Sequence, residues 1–493
     1  MTICEFDGQK SLKDRYNTGR KELMKNQQAN SIHTKKRITR RNFIAGTAAA
    51  TAFTIVPRHV LGGSGNIAPS EKVNVAIIGT GGQGIVNMKQ LFNESDVRIA
   101  ALCDVNEVSD YSMFYYGGTA GIKPAVELVR KQYGQACPTY RDYNQMLDNE
   151  DIDAVLLATP DHSHAVISLA AIAKGKHLYC EKPLCRTVYE TRVVTEAARK
   201  AGVATQLGNF GHSSEDIRLA CEWIWDGAIG DVHDVHAWTS TGARRWTNLT
   251  DRPKDTPPVP AGLDWQRWLG PVPARPYHPD YAPVRWRAWW QFGSGTIGDF
   301  ACHHLDPAFW ALKLDQSTTF SVEASSYGTT EETCPAASLM YFDFPARAGM
   351  APVRITWYEG GVMPPRPAEL EDGRSLGDHG ILFVGTKGSI LGGGWSRSPR
   401  IIPETKMRAY RKPPKSLPRV KGHHRDWLDA CRGKGRPSTH FDYAGPLTEF
   451  VLMGNVALRA GKKLDFDWKN MNITNVPEAN KFVKPHYREG WTI

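Results

Sequence analysis

Cysteine is scarce in this chain: nine in 493 residues, with no C-x-x-C pair and no spacing of the kind that cages zinc. That excludes a disulfide-stapled scaffold and predicts no structural metal, leaving most thiols as small buried hydrophobes. No apolar run approaches the roughly 20 residues that a membrane helix needs. A large charge of one sign is also missing from the body of the chain. The formal net charge is +10, but residues 1–65 hold 12 Lys+Arg against 4 Asp+Glu, leaving 49 against 47 elsewhere. Nucleic-acid binding by the folded body therefore has little electrostatic basis, and no nucleic-acid partner is expected.

The basic leader has its own pattern. Residues 1–34 are polar and aperiodic and read as disordered. Arg40-Arg41-Asn42-Phe43-Ile44 then precedes the small, weakly apolar run Ala45 to Val56. A twin arginine ahead of a short hydrophobic region resembles a Tat export signal. It implies export of a folded protein to the periplasm, with no stable membrane anchor afterwards. Residues 1–65 are thus set apart as leader.

From Lys72 the composition changes. Val73, Val75, Ile77 and Ile78 form a β-branched run that opens into Gly79-Thr80-Gly81-Gly82-Gln83-Gly84. A helical pattern follows, then a second apolar run, Val97 to Leu102, and Asp104. Strand, G-x-G-x-x-G, helix, strand and acid is the dinucleotide-binding order. Gly79 permits the tight turn, Gly81 lets backbone N–H groups approach a pyrophosphate, and Gly84 allows close helix–sheet packing. Asp104 would accept hydrogen bonds from the adenosine ribose and repel a 2′-phosphate, favouring NAD over NADP.

Strands and helices continue to alternate. Strand Ala154 to Ala158 leads to Thr159-Pro160, helix Ala165 to Lys174 follows, and strand His177 to Cys180 ends at Glu181-Lys182-Pro183. The pattern predicts a doubly wound parallel sheet over residues 66–210, with ligands at the strand C-termini. Residues 211–493 read differently: strand Val232 to Thr239, a Trp-, Pro- and Arg-rich stretch from about Gly242 to Phe292, then alternating runs at 320–325, 337–344, 353–358 and 381–384. These suit a second α/β domain with an open, mainly antiparallel sheet. A last helix, about 449–460, is expected to pack back on the first domain.

Together, Gly79-x-Gly81-x-x-Gly84, Thr159-Pro160 with His164, Glu181-Lys182-Pro183 and Asp299-x-x-x-His303-x-x-Asp306 resemble the Gfo/Idh/MocA oxidoreductases. The resemblance implies NAD as cofactor, a small-molecule carbohydrate substrate and a homodimer or homotetramer built through the second sheet. It also implies site residues. Gly79, Thr80, Gly81, Gly82, Gln83, Gly84, Asp104, Thr159, Pro160, His164, Glu181 and Lys182 would surround the cofactor. Lys182 would donate to a substrate hydroxyl or to the developing carbonyl oxygen, and His303 would be the general base. Asp299 would fix the imidazole or hold a sugar hydroxyl. Asp306, Arg285, Trp286 and Asn209 are candidates for binding substrate, with Asp306 equally readable as structural.

Ten of the fifteen tryptophans fall between Trp223 and Trp310. Aromatic faces suit sugar C–H faces, yet most should anchor the long insertion, with one or two lining a cleft. The function expected is oxidation of a sugar, glycoside or polyol hydroxyl, C3 of a glycoside being one candidate, with a tightly held and recycled cofactor. The alternatives are an NAD-dependent glycosidase working through transient oxidation and elimination, with Tyr281 or an insertion histidine as extra base, and a non-catalytic, nucleotide-bound sugar-binding protein.

Overall fold

A computed structural model describes residues 67–68 and 71–493, which lie in one compact unit, Ser64–Ile493. The expected export signal lies outside the described residues. Strand β1 (Val73–Ile78) is buried throughout, because β2 (Val97–Cys103) pairs with it on one edge and β6 (Ala154–Leu157) on the other. Being covered on both faces is why its sequence is a continuous apolar run. With β5 (Thr139–Tyr140), β7 (His177–Cys180) and β8 (Thr205–Leu207), these strands make an all-parallel sheet in the order β5-β2-β1-β6-β7-β8. The order reverses between β1 and β6, the crevice in which such sheets bind dinucleotides. The glycine loop leaves β1 and Thr159-Pro160 leaves β6 at that point.

Local chemistry sets the helix ends. The helix Val188–Ala201 starts with a capping box, Thr187 and Glu190 each bonding the other's backbone, and stops at the left-handed Gly202. The helix after β6 runs Asp161–Ala173, beginning four residues earlier than its apolar pattern suggests, so His164 sits inside it. Two turn strands, β3 (Ser109–Asp110) and β4 (Thr119–Ala120), form a small hairpin after β2.

The second sheet has nine strands in the order β15-β14-β13-β9-β12-β11-β10-β16-β17. They are β9 (Val232–Thr239), β10 (Thr319–Tyr327), β11 (Ala337–Phe344), β12 (Val353–Glu359), β13 (His379–Gly385), β14 (Gly388–Gly393), β15 (Arg400–Ile402), β16 (Leu464–Asp467) and β17 (Asn472–Ile473). All neighbours are antiparallel except β9 and β12. Strands β14 to β17 were not legible in the sequence, being short and glycine-rich or at the sheet edge.

The helix Phe441–Ala460 runs unbroken through Pro446 and starts well before the expected 449. It lies against the helix Val188–Ala201 so closely that a Cβ on Gly445 would come within 2.2 Å of the Thr195 hydroxyl. Arg192 clamps Glu449 across this contact with two 2.7 Å hydrogen bonds. Among the described residues no helix is long and apolar enough to cross a membrane.

Candidate active site

A cavity of about 1290 Å³ runs from the glycine loop, past the ends of β6 and β7, to the helical segment around Asp299. This exceeds the roughly 300–1,000 Å³ of ordinary small-molecule sites and leaves room for a dinucleotide beside a second ligand.

At the nucleotide end, Gly79 has φ +89, and a Cβ on Gly84 would meet the Gly79 carbonyl oxygen at 2.0 Å. Both positions are closed to any side chain. The helix Gly82–Leu91 has neither a side-chain cap nor an acidic residue in its first turn, so its positive N-terminus is left for an anion. Gly81 and Gly82 line the cavity under Tyr111 and Phe114, which a Cβ at either glycine would strike. These features fit a dinucleotide pyrophosphate. Asp104 also lines the cavity, and it braces the loop by accepting from Thr80 N at 2.6 Å, Thr80 Oγ1 at 3.0 Å and Asn106 N at 2.9 Å. Burial raises its pKa above the ordinary carboxylate value, against the lowering effect of those bonds. Glu181 accepts from Asn87 Nδ2 at 2.8 Å and Gln83 Nε2 at 3.1 Å, tying the end of β7 to the first helix. Thr159 and Pro160 form part of the wall between them.

At the other end, Lys182 Nζ donates to Asp299 Oδ1 at 2.5 Å and to the Asp299 carbonyl at 2.6 Å. Arg287 Nε stands 3.7 Å from Asp299 Oδ2. Burial works to raise the Asp299 pKa, but Lys182 and Arg287 outweigh it and hold the carboxyl below its ordinary value. Asp299 belongs to a π-helical turn, Ile297–Ala301, a local widening often found at functional sites. His303 follows, 7% exposed, its ring 5.4 Å from Phe210 and 5.5 Å from Trp395. Its Nδ1 is buried without a partner, leaving Nε2 as the nitrogen open to the cavity. Burial first, then the Lys182 charge, drives the His303 pKa well below 6.5, so the imidazole is neutral.

Several expectations are corrected by these positions. Asp299 pairs with Lys182 and Arg287 and does not hold the His303 ring. Asp306 is 1% exposed and turned away from the cavity, in a helix separated at Leu305 from the short helix that carries His303; it gathers His212, Tyr443 and Asn209. Asn209 is therefore a buried partner of Asp306 rather than a wall of the site. His164 lies behind the wall, between the Thr159 and Pro183 carbonyls at 2.8 and 2.9 Å, where it joins the ends of β6 and β7. Arg285 points to the Trp246 carbonyl and Asp280 and does not line the cavity. Trp286 does line it, stacked under Arg287 at 4.1 Å. Of the ten clustered tryptophans only Trp246, Trp268 and Trp286 reach the cavity, while Trp265, Trp289 and Trp290 spend their indole N–H groups on backbone carbonyls.

Further residues complete the site. Asp161 is buried beside the cavity, accepts from Ser294 Oγ at 2.6 Å, and is pushed up to about 7 by burial. His423 and His424, in the helix His423–Cys431, form a wall with Tyr179, on which His424 stacks at 5.0 Å. Arg245, Trp395 and Arg397 close the far end. His423-His424 stand together at a helix start and Asp161 directly follows Thr159-Pro160, whereas Arg245, Trp395 and Arg397 carry no local signal, arriving from loops far apart in the chain.

Two models of the Gfo/Idh/MocA oxidoreductase family match the chain: the NAD-binding Rossmann fold over residues 73–209 and the C-terminal alpha/beta domain over residues 229–343. A glycosyl hydrolase family 109 protein of Stenotrophomonas maltophilia is 30% identical over 198 residues, 40% of this chain and 41% of the relative. A levoglucosan dehydrogenase of Pseudarthrobacter phenanthrenivorans is 30% identical over 167 residues, 34% of this chain and 35% of that protein. The chain thus spans about two fifths of the length of these curated relatives. Among solved structures, the WlbA dehydrogenase from Bordetella pertussis, in complex with NADH and UDP-GlcNAcA, superposes with a TM-score of 0.53 at 18% identity. That match covers 80% of this chain and 98% of the other and shows the shared fold.

Proposed function

The chain belongs to the Gfo/Idh/MocA oxidoreductase family, with an NAD-binding Rossmann domain, and from that premise we propose that it oxidises a hydroxyl of a sugar, glycoside or polyol. One observation carries the reading. The Lys182–Asp299 pair and the His303 ring open into the same cavity as the glycine loop and Asp104. NAD, when bound, supplies the hydride acceptor. The glycine loop and the free helix N-terminus would hold its pyrophosphate, and Asp104 its adenosine ribose. The chain's own residues then handle oxygen and proton. His303 Nε2, kept neutral by burial, takes the hydroxyl proton as the carbinol C–H bond breaks. Lys182 Nζ donates to the same oxygen as it becomes a carbonyl, its position fixed by Asp299. C3 of a glycoside is the candidate carbon.

The Tat-like leader supports export to the periplasm, and with it a cofactor that stays bound and is recycled by a second substrate. The roof of Tyr111 and Phe114 over the glycine loop favours such retention. The family implies assembly as a dimer or tetramer.

The family 109 relatives favour a second reading, an NAD-dependent glycosidase. That chemistry needs another base, and Tyr281 does not supply it here, being 3% exposed within the tryptophan cluster and off the cavity. Incubating the purified protein with a glycoside panel and weighing the products separates the two. A product lighter by two hydrogens supports oxidation. Free sugar and aglycone without a keto product refute it in favour of the glycosidase. Denaturing the same preparation and assaying released NAD tests retention.

A further inference from the structure

The far end of the cavity holds more positive charge than it uses. Asp299 absorbs Lys182 and Arg287. Arg245 and Arg397 also line the cavity, both exposed, and neither side chain has an ion pair or hydrogen bond among the described residues. Each lies instead over a tryptophan of the cavity wall, Arg245 over Trp246 at 5.1 Å and Arg397 over Trp395 at 5.8 Å. Both belong to the catalytic end. Arg245 is close enough to help lower the Asp299 pKa, and Trp395 packs against His303. Of the other carboxylates beside this end, Asp161 is buried and bonded to Ser294 at 2.6 Å, and Asp216 accepts from the Ser398 amide at 3.1 Å.

Two guanidinium groups set over tryptophans in the wall of the catalytic cavity, without an anionic partner among the described residues, suit an anionic ligand. The indoles attract the cations and suit the apolar face of a sugar ring, and the forked N–H donors match carboxylate or sulfate oxygens. Neutral hydroxyls would offer neither cation a counter-charge. We propose that the substrate is an acidic carbohydrate, whose carboxylate or sulfate ester is bound between Arg245 and Arg397 while a ring hydroxyl faces His303 and Lys182. The idea rests on the oxidoreductase reading only for the second half of that statement.

The test uses the holoenzyme and matched pairs: methyl glucoside against methyl glucuronide, and methyl galactoside against its 6-sulfate. Calorimetry measures binding and product mass measures oxidation. The acidic member of at least one pair should bind about ten- to hundredfold tighter, the range set by charge-assisted hydrogen bonds, with the advantage shrinking as salt rises. Preference within the glucuronide pair alone identifies a carboxylate, and within the sulfate pair alone a sulfate ester. In Arg245→Met and Arg397→Met the acidic-to-neutral ratio should fall about tenfold each, and Arg245→Lys and Arg397→Lys should restore part of it. Equal or absent binding of both members in both pairs overturns the proposal, as does an unchanged ratio in the double Met variant. If acidic glycosides bind preferentially and no keto product forms, the oxidoreductase reading fails and this one stands. If neutral and acidic glycosides are bound and oxidised alike, the reverse holds.

Discussion

Replacing Asp299 by Asn removes one negative charge at nearly constant shape, in a place where the structure predicts what is lost. Asp299 accepts from Lys182 Nζ at 2.5 Å and faces Arg287 at 3.7 Å, and the Lys182 and Asp299 side chains are each 16% exposed. The amide would leave both cations against each other with only the Asp299 carbonyl, 2.6 Å from Nζ, still holding the lysine. Breaking a buried pair costs about 3–5 kcal/mol, and access to the cavity puts this one near about 3. The pH dependence follows from the sign of the shift. The folded Asp299 titrates below its ordinary 3.8. Its stabilisation is therefore present above 3.8 and lost as pH falls through the lower folded value. Denaturant unfolding should place the variant about 3 kcal/mol below wild type at neutral pH, with the gap closing as pH falls below 3.8. Turnover should fall about a hundredfold as Lys182 loses its aim. A variant as stable as wild type at pH 7, or a deficit that persists undiminished in acid, would refute the reasoning.

Two further outcomes follow from the neighbouring groups. His303→Gln should lower the rate of oxidation by about 10²–10⁴ while NAD content stays at the wild-type level, and full activity would remove His303 from the chemistry. Asp161, raised to about 7, keeps a proton in the folded state that the unfolded chain gives up above 3.8. Wild-type stability should therefore decline as pH rises from about 4 to 7. Asp161→Asn, which can still accept from Ser294, should flatten that slope and gain up to about 4 kcal/mol at pH 8. Identical pH–stability curves for the two proteins would count against the raised value.

The nucleotide end was legible because it is local. Turn, close approach and helix packing each demand glycine within six consecutive residues, Gly79 to Gly84, and strand β1 announces itself by burial on both faces. The substrate end was legible only in part. Lys182, Asp299 and His303 stand in short motifs, but their relations do not. The i, i+4 spacing suggested an Asp299–His303 contact, whereas the π turn and Lys182 drew the carboxylate elsewhere. Asp306, three residues on, stands past a second break, at Leu305, and bonds away from the cavity. A helical period predicts a face only while the helix stays regular.

By itself the sequence determined the parallel sheet with its phosphate loop, the second α/β domain and the identity of the residues with reactive groups. Those features follow from hydrophobic period and backbone sterics, which act over a few residues. The tertiary structure decided which reactive groups meet. Lys182 and Asp299 are 117 positions apart, and Arg245 and Arg397, which line the same cavity, come from separate loops of the second domain. Their meeting depends on how the insertion and the loop after β14 fold over the ends of β6 and β7, and no local period encodes that distance.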